Sequence, residues 1–282
     1  QMCIRDRVEA LKARVYLEME DYQNAAAAAQ GLINSKRYTL ISDGDAYKKM
    51  WLNDVGTEAI WQFAMSKTET GSNALGSSFM GIVDKLPRPS YLPVKSVLNL
   101  YDKENDIRYD AYFTTGLIDR QVGDDIEVTY CSKWPGNPEL YEGKSNNVNK
   151  LKAFRISEMY LIAAEAYAML NQEDKASEML NELKKIRIKG WTETVYNGAA
   201  LMQEIQDERV RELFAEGNRL FDMKRWKIGM KRSSSDAQRD DYLPALGTDI
   251  EKEATDNRWV WPIPKDEMDS NPQLKGQQNP GY

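Results

Sequence analysis

Histidine is absent from all 282 residues of this sequence. Its absence excludes a Ser-His-Asp triad, a Cys-His nucleophile pair, histidine-bound zinc and the Glu-x-x-His di-iron sites of helical bundles. Any catalysis would have to use carboxylates, lysine or tyrosine. The acidic stretch "DKENDIRYD" has Ile107 where a calcium loop needs glycine and is followed by Phe113 where the loop needs glutamate, so we expect neither a metal site nor a cofactor.

Other features are scarce as well. Cys3 and Cys131 are the only cysteines, too few in a chain of this length for a disulfide framework. The sequence has no apolar run of eighteen residues, so no membrane-spanning helix is expected. The net charge is −6, and no basic face or arm stands out, which argues against a nucleic-acid partner. With 41% hydrophobic and 29% charged residues, the composition is that of a globular protein.

Two segments, residues 8–35 and 151–189, show the apolar periodicity of paired helices. When the segments are aligned, Tyr16 falls on Tyr167 and Ala25 falls on Ala176. In each segment the alanine follows the tyrosine by nine positions. An aromatic residue in the first helix, a polar turn and an alanine in the second resemble the tetratricopeptide helix pair. The sequence thus predicts a mainly α-helical fold built on tetratricopeptide-like pairs.

For the rest of the chain, the sequence predicts one more long helix and two long loops. A third long helix is expected over residues 200–227, and Gly217 on its apolar seam suggests the close approach of another backbone. Long irregular loops are expected over 66–93 and 102–150, with a short strand within 125–134. We assign residues 8–282 to one domain and residues 1–7 to a leader that is non-native or disordered.

The last 25 residues, 258–282, contain two tryptophans and four prolines. Proline argues against a helix here, and the aromatic content argues against a disordered tail. We expect an extended segment that uses Trp259, Trp261 and Ile263 to hold onto the helical body.

Three stretches carry a resemblance to a known family: "FRISEMYLIAAEAYAML", "ERVRELFAEGNRLFDMKRW" and the closing "WVWPIPKDEMDSNPQLKGQQNPGY". They resemble the SusD/RagB family of outer-membrane glycan-binding lipoproteins. The resemblance implies a non-catalytic protein that captures oligosaccharides, or in some members peptides, on the outer surface of the outer membrane. It also implies a partnership with a TonB-dependent transporter, over which the protein acts as a lid.

Members of this family are usually longer and carry a lipid anchor on a cysteine. Cys3 has no apolar segment before it, so it does not match the lipid-bearing residue. The chain resembles the C-terminal portion of a member. Membrane attachment is therefore expected only through an anchor that this chain does not contain.

Glu208, Glu212 and Glu216 recur every four residues on one helical face. Paired carboxylates could hydrolyse a glycosidic bond. The balance of charge in the same segment instead favours an ion network, with Arg209, Arg211, Arg219 and Arg225 as the predicted partners. Arg155, Glu158 and Glu165 are likewise interpreted as salt-bridging residues, because buried charges need partners.

The loop "YCSKWPGNPELYEG" is the predicted ligand-binding segment. Its candidates are Tyr130, Trp134, Asn137 and Tyr141, with Asn73 in the earlier loop as a fifth. An exposed indole can cover the apolar face of a sugar, and an asparagine amide can both donate to and accept from its hydroxyls. The alternative for Trp134 is burial, where the ring would anchor the loop.

Two other functions are compatible with the sequence. A plain tetratricopeptide scaffold would bind protein, but it would have no need of the long loops between 66 and 150. A carboxylate-based glycosidase on a helical frame would have to use the glutamates of the third helix, and a turnover assay on mixed glycans separates it from a binding protein.

Overall fold

A computed structural model describes residues 4–67, 75–83, 86–120, 123–140, 147–239, 251–274 and 276–282. These residues form two compact units, Gln1–Glu216 and Gly217–Tyr282. In the described part of the chain, no helix combines the length and apolar character needed to cross a membrane.

The first unit is mainly helical. Its helices are α1 (Ile4–Glu18), α2 (Tyr22–Asn34), α3 (Gly44–Leu52), α4 (Ser77–Met80), α5 (Lys95–Leu98), α6 (Ile107–Tyr112), α7 (Ile156–Met169), α8 (Glu173–Arg187) and α9 (Gly198–Glu212). Its strands are β1 (Ala59–Gln62), β2 (Ile82–Val83), β3 (Leu86–Pro87), β4 (Phe113–Ile118), β5 (Ile126–Cys131) and β6 (Lys152–Arg155). They form antiparallel two-stranded ribbons, in which β1 pairs with β6, β2 with β3 and β4 with β5. The strand predicted within 125–134 is β5.

The two predicted helix pairs are α1–α2 and α7–α8, and their turns have the same geometry. Glu20 and Asn171 occupy equivalent positions with positive φ angles of 59° and 57°. In the first turn the backbone N–H of Asp21 donates to the carbonyl of Tyr16 at 2.9 Å, and the matching bond in the second turn, also 2.9 Å, ends on Tyr167. This is the left-handed closure common at helix C-termini. The tetratricopeptide-like repeat is therefore confirmed.

Small residues allow these helices to pack closely. Ala25 and Ala176, the aligned pair, are both completely buried. Helix α7 packs against α2, α8 and α9, which makes it the centre of the first core. A second core lies under the loops and is largely aromatic; it includes Tyr47, Trp51, Tyr101, Tyr112, Phe113 and Trp134.

One face of α1 is apolar and exposed. The side chains of this apolar stripe recur every three or four residues and are between 44% and 74% exposed: Ile4, Val8, Leu11, Val15 and Met19. The opposite face of α1 contributes Ala10, Ala13 and Leu17 to the core. The periodicity seen in the sequence thus marks the outward face of α1 rather than its buried one.

The third helix is shorter than predicted. Helix α9 ends at Glu212, and the next helix begins only at Arg219. Between them Ala215 and Gly217 have positive φ angles of 57° and 82°. Apart from Gly217 itself and its two chain neighbours, no described residue has an atom within 4 Å of a Cβ built on Gly217. Among the described residues no other backbone approaches Gly217 closely, contrary to the prediction, and the glycine instead permits a left-handed turn.

Residues 4–7, assigned to a disordered leader, are helical and attached to the body. The Asp6 side chain is buried, with 1% exposed. It accepts hydrogen bonds from the guanidinium of Arg37 at 2.6 Å and the hydroxyl of Tyr38 at 3.0 Å. These four residues are thus part of α1, and their assignment as non-native stays a prediction.

The second unit contains α10 (Arg219–Arg225), α11 (Lys265–Ser270) and an antiparallel ribbon of β7 (Met230–Lys231) with β8 (Glu251–Lys252). The tail is less extended than predicted. Helix α11 starts immediately after Pro264, where proline is tolerated because the first turn of a helix leaves its N–H groups unpaired. The side-chain amide of Gln278 bonds to both the N–H and the carbonyl of Ile263, at 2.8 and 3.1 Å, so the end of the tail folds back on its beginning.

Candidate functional site

Trp134, the strongest sequence candidate for sugar stacking, is only 2% exposed. Its ring packs edge-on against Trp51, with 5.1 Å between ring centroids. Its indole N–H donates to the carbonyl of Ala215 at 3.1 Å. A ring buried in this way has no free face for a sugar. The structure thus corrects the platform interpretation and matches the alternative, in which Trp134 anchors the loop.

Asn137 is also buried, and its amide is already used. Its Nδ2 donates to the Asp54 carboxylate at 2.9 Å and to the Asn53 carbonyl at 3.1 Å. Its Oδ1 accepts from the backbone N–H of Glu139 at 2.9 Å. The sequence prediction missed this role because the Asp54 partner lies 83 residues away along the chain. Asn137 therefore holds the loop, and both atoms of its amide already have protein partners.

Asp54 is the residue that sequence reasoning missed. It is 4% exposed and has a positive φ angle of 56°. Besides Asn137, its carboxylate accepts from the Lys152 ammonium and the Lys150 backbone N–H, both at 3.0 Å. Burial lowers the pKa of Lys152, but the adjacent Asp54 charge opposes that effect. Asp54 thus ties the candidate loop to the strand that precedes α7.

Three segments of loop meet at one place. A Cβ built on Gly76 would lie 2.0 Å from the carbonyl oxygen of Trp134 and 2.8 Å from the Cβ of Asn147. A Cβ on Gly136, whose φ is +91°, would lie 2.8 Å from the Cα of Asn147. Only glycine permits both approaches. We call these four residues, Gly76, Trp134, Gly136 and Asn147, the loop junction.

Of the three remaining ligand-binding candidates, Tyr130 lies within the described residues, and Tyr141 and Asn73 do not. Tyr130 lies in β5, opposite Thr114 of β4, and is 8% exposed, so it offers little surface to a ligand. Tyr141 and Asn73 lie outside the described residues. Their role in binding stays a prediction.

The glutamates of α9 belong to a buried ion network. The Glu212 side chain is completely buried and accepts from Arg155 at 2.8 Å, from Arg187 at 2.9 Å and from Arg108 at 3.1 Å. Burial alone would raise the pKa of Glu212, but the charges of these arginines outweigh it and hold the pKa well below its ordinary value. The ion-network interpretation is confirmed.

The partners within that network differ from those predicted. The guanidinium groups around Glu212 come from α6, the end of β6 and α8. Of the predicted partners on the same helix, Arg211 does bond to Glu208, at 2.7 Å. Arg209 instead lies 4.0 Å from Glu165, and Arg225 pairs with Asp222 at 2.8 Å. The partners were mispredicted because helical spacing identifies only neighbours on the same helix.

Lys133 connects the candidate loop to this network. Its buried ammonium donates to the Phe214 carbonyl and the Glu216 carboxylate, both at 2.7 Å. It also lies 4.2 Å from the ring centroid of Trp51 and 3.8 Å from that of Tyr112. Burial lowers the pKa of Lys133 to about 8. The loop is thus held by a charge as well as by the ring of Trp134.

The burial and ion pairing of Glu208, Glu212 and Glu216 bear on whether these carboxylates could hydrolyse a glycosidic bond. The carboxylates of Glu208 and Glu212 are inaccessible, and Glu216 is shared between Lys133 and Arg155. A glycosidase would need one carboxyl that can give up a proton beside another that faces the sugar. In the described structure these three carboxylates serve to hold helices and loops together.

A family model described as the SusD family matches residues 125–282, which is more than half of the chain. The chain is 25% identical over 311 residues to SusD-like protein P38 of Formosa agariphila, covering 94% of this chain and 58% of that protein. The chain therefore spans about three fifths of the length of this relative.

The chain is also similar in fold to solved structures of this kind of protein. A SusD superfamily protein from Bacteroides thetaiotaomicron is 29% identical with a TM-score of 0.76, and the match covers 96% of this chain and 59% of that one. A candidate sugar-binding protein from Bacteroides vulgatus is 26% identical with a TM-score of 0.73, covering 99% of this chain and 59% of that one.

Proposed function

Because this chain belongs to the SusD family, we propose that the protein binds oligosaccharides without cleaving them and passes them to a TonB-dependent transporter in the outer membrane. The family match carries this proposal. It is supported by the similarity to a candidate sugar-binding protein from Bacteroides vulgatus. The protein would act at the cell surface, held by a lipid anchor.

The way in which the loop is fixed supports a binding role. Residues 132–140 are attached at three separate points, through Lys133 to Glu216, Trp134 to Ala215 and Asn137 to Asp54. A site built on a rigid frame loses little conformational entropy when a ligand binds. We propose that these buried residues position the loop, and that sugar contacts come from its remaining part and from the earlier loop that reaches the loop junction.

Tyr141 and Asn73 are the contact residues proposed for this site. The test is calorimetric titration of the protein with a panel of neutral and acidic oligosaccharides. The double variant Tyr141→Ala, Asn73→Ala should bind roughly ten- to a hundredfold more weakly, because it lacks a stacking ring and an amide that reads hydroxyls. Tyr282→Ala, which removes a 56% exposed tyrosine outside both loops, is the control. Equal affinity in the double variant and the wild type would remove both residues from the site.

The transporter partnership needs a separate test. The affinity-tagged, full-length protein should copurify with a β-barrel transporter from outer membranes solubilised in mild detergent. Recovery without any such transporter, under conditions that preserve other outer-membrane complexes, would contradict this part of the proposal.

A further inference from the structure

A cleft of about 410 Å³ lies between the two helix pairs, away from the loop junction. Helices α2 and α8 form its sides, α7 contributes to its lining, and the segment that follows α2 closes it. The lining of the helix-pair cleft includes Asn34, Tyr38, Thr39, Tyr160, Glu178 and Glu182. Its volume falls within the range of roughly 300–1,000 Å³ that is typical of small-molecule sites.

Two half-buried tyrosines give the cleft aromatic surface. Tyr38 is held in place by its hydroxyl, which donates to Asp6 at 3.0 Å. Tyr160 projects from α7, whose position the core fixes on several sides. Burial and the nearby charge of Glu182 raise the pKa of Tyr160, so its hydroxyl stays protonated at neutral pH. It can therefore both donate and accept a hydrogen bond.

The polar groups of the cleft are largely uncommitted. Within the described residues, the side chains of Thr39 and Glu178 and the hydroxyl of Tyr160 make no hydrogen bond. The Asn34 carbonyl oxygen accepts from Gln30 at 2.9 Å, which leaves its Nδ2 as a donor. Donors and acceptors thus stand beside apolar and aromatic surface, the combination that recognises a polyhydroxylated ring.

The charges around the cleft balance. Glu178 and Glu182 are acidic, Lys36 is basic, and Lys185 forms an ion pair with Glu182. An anionic or cationic ligand would meet no excess of the opposite charge here. A neutral ligand does not need an excess of charge of either sign in its site.

We propose that the helix-pair cleft is a second binding site, which takes one or two neutral sugar residues of an oligosaccharide. The apolar face of a sugar ring would lie against Tyr160 and Tyr38. Glu178 would accept from a sugar hydroxyl, and Asn34 would donate to one. Because the cleft is open to solvent, it would hold an end or a short stretch of a longer chain.

The test is two-dimensional NMR of the ¹⁵N-labelled protein, titrated with neutral hexasaccharides of glucose, mannose and xylose. Hexagalacturonate serves as the anionic probe and the hexamer of glucosamine as the cationic one. The backbone amides of Lys36, Thr39 and Leu40 report on the cleft, and those of residues 132–140 report on the loop site. At least one neutral hexasaccharide should shift the cleft amides in a saturable way, and more strongly than either charged probe.

Variants connect the shifts to the proposed contacts. Glu178→Gln and Tyr160→Phe each remove one hydrogen-bonding group and should weaken binding at the cleft roughly three- to tenfold. Tyr160→Phe keeps the ring, so the packing of α7 is retained. Glu193→Gln is the matched control, because Glu193 is exposed and lies outside the cleft.

Cleft amides that do not move with any neutral probe, or that move equally in wild type and Glu178→Gln, overturn the second site. Shifts of the loop amides alone overturn the second site and leave the proposed function intact. Shifts of the cleft amides alone support the second site and count against the loop site.

Discussion

Replacing Trp134 with alanine tests the assignment of this residue as an anchor. The substitution removes a ring that is 2% exposed, its edge-on contact with Trp51 and the hydrogen bond to the Ala215 carbonyl. Truncation of a buried tryptophan commonly costs about 3–5 kcal/mol of unfolding free energy, including the cavity left behind. The unpaired Ala215 carbonyl adds to this cost. At about 2–4 °C per kcal/mol, the melting temperature should fall by roughly 6–20 °C.

Two further variants place the loss of stability in Trp134→Ala on a scale. Trp134→Phe keeps an aromatic ring but loses the indole N–H, so it should cost only about 1–2 kcal/mol. Tyr91→Ala removes an exposed ring and should change stability by less than about 0.5 kcal/mol. The order of melting temperatures should be wild type and Tyr91→Ala, then Trp134→Phe, then Trp134→Ala.

The assay is thermal unfolding by circular dichroism, with calorimetric glycan titration at a temperature where every variant is folded. An anchor predicts a large loss of stability. A sugar platform predicts weaker binding at an unchanged melting temperature. If Trp134→Ala melted with the wild type, the anchoring role would be refuted and the ring would return to the list of ligand contacts.

Three further predictions follow from the buried charges and from α1. Glu212→Gln leaves three arginines without their shared carboxylate and should cost about 3–5 kcal/mol in urea unfolding, whereas Glu9→Gln on the surface should be nearly neutral; equal effects would contradict the network. Folding lowers the pKa of Lys133 from 10.5 to about 8, so the unfolded chain binds more protons between those pH values. As the pH rises from 8 to 10.5, the free energy of unfolding should therefore increase by about 3 kcal/mol more in the wild type than in Lys133→Met, and parallel pH profiles of the two proteins would refute this. The apolar stripe of α1 should promote self-association, which light scattering should show to be reduced in Leu11→Gln; a wild type that stays monomeric at high concentration would contradict the expectation.

The sequence by itself determined the features that rest on local hydrogen bonding and periodicity. The aligned positions of Tyr16 and Tyr167 predicted two equivalent helix pairs, and each tyrosine carbonyl does close the same left-handed turn. A short strand was predicted within 125–134, and it forms β5. The family could also be assigned from sequence, because its motifs lie in continuous stretches.

Features that depend on a break in local pattern were harder to predict. The helix predicted over 200–227 ends at Glu212 because the chain takes positive φ angles at Ala215 and Gly217. The carbonyls of Phe214 and Ala215 in that turn accept from Lys133 and Trp134. Apolar periodicity continued through the turn, so it gave no warning of the break.

The roles of the candidate site residues were decided only by the tertiary structure. Asn137 was predicted to bind a sugar, but its amide bonds to Asp54, which lies 83 residues earlier in the chain. Glu212 was correctly expected in an ion network, but its Arg108 and Arg155 partners lie 104 and 57 residues away. Burial and ion pairing depend on which distant segments the fold brings together. A sequence shows which residue types are available for such contacts, and the packing of the chain determines which of them remain free to meet a ligand.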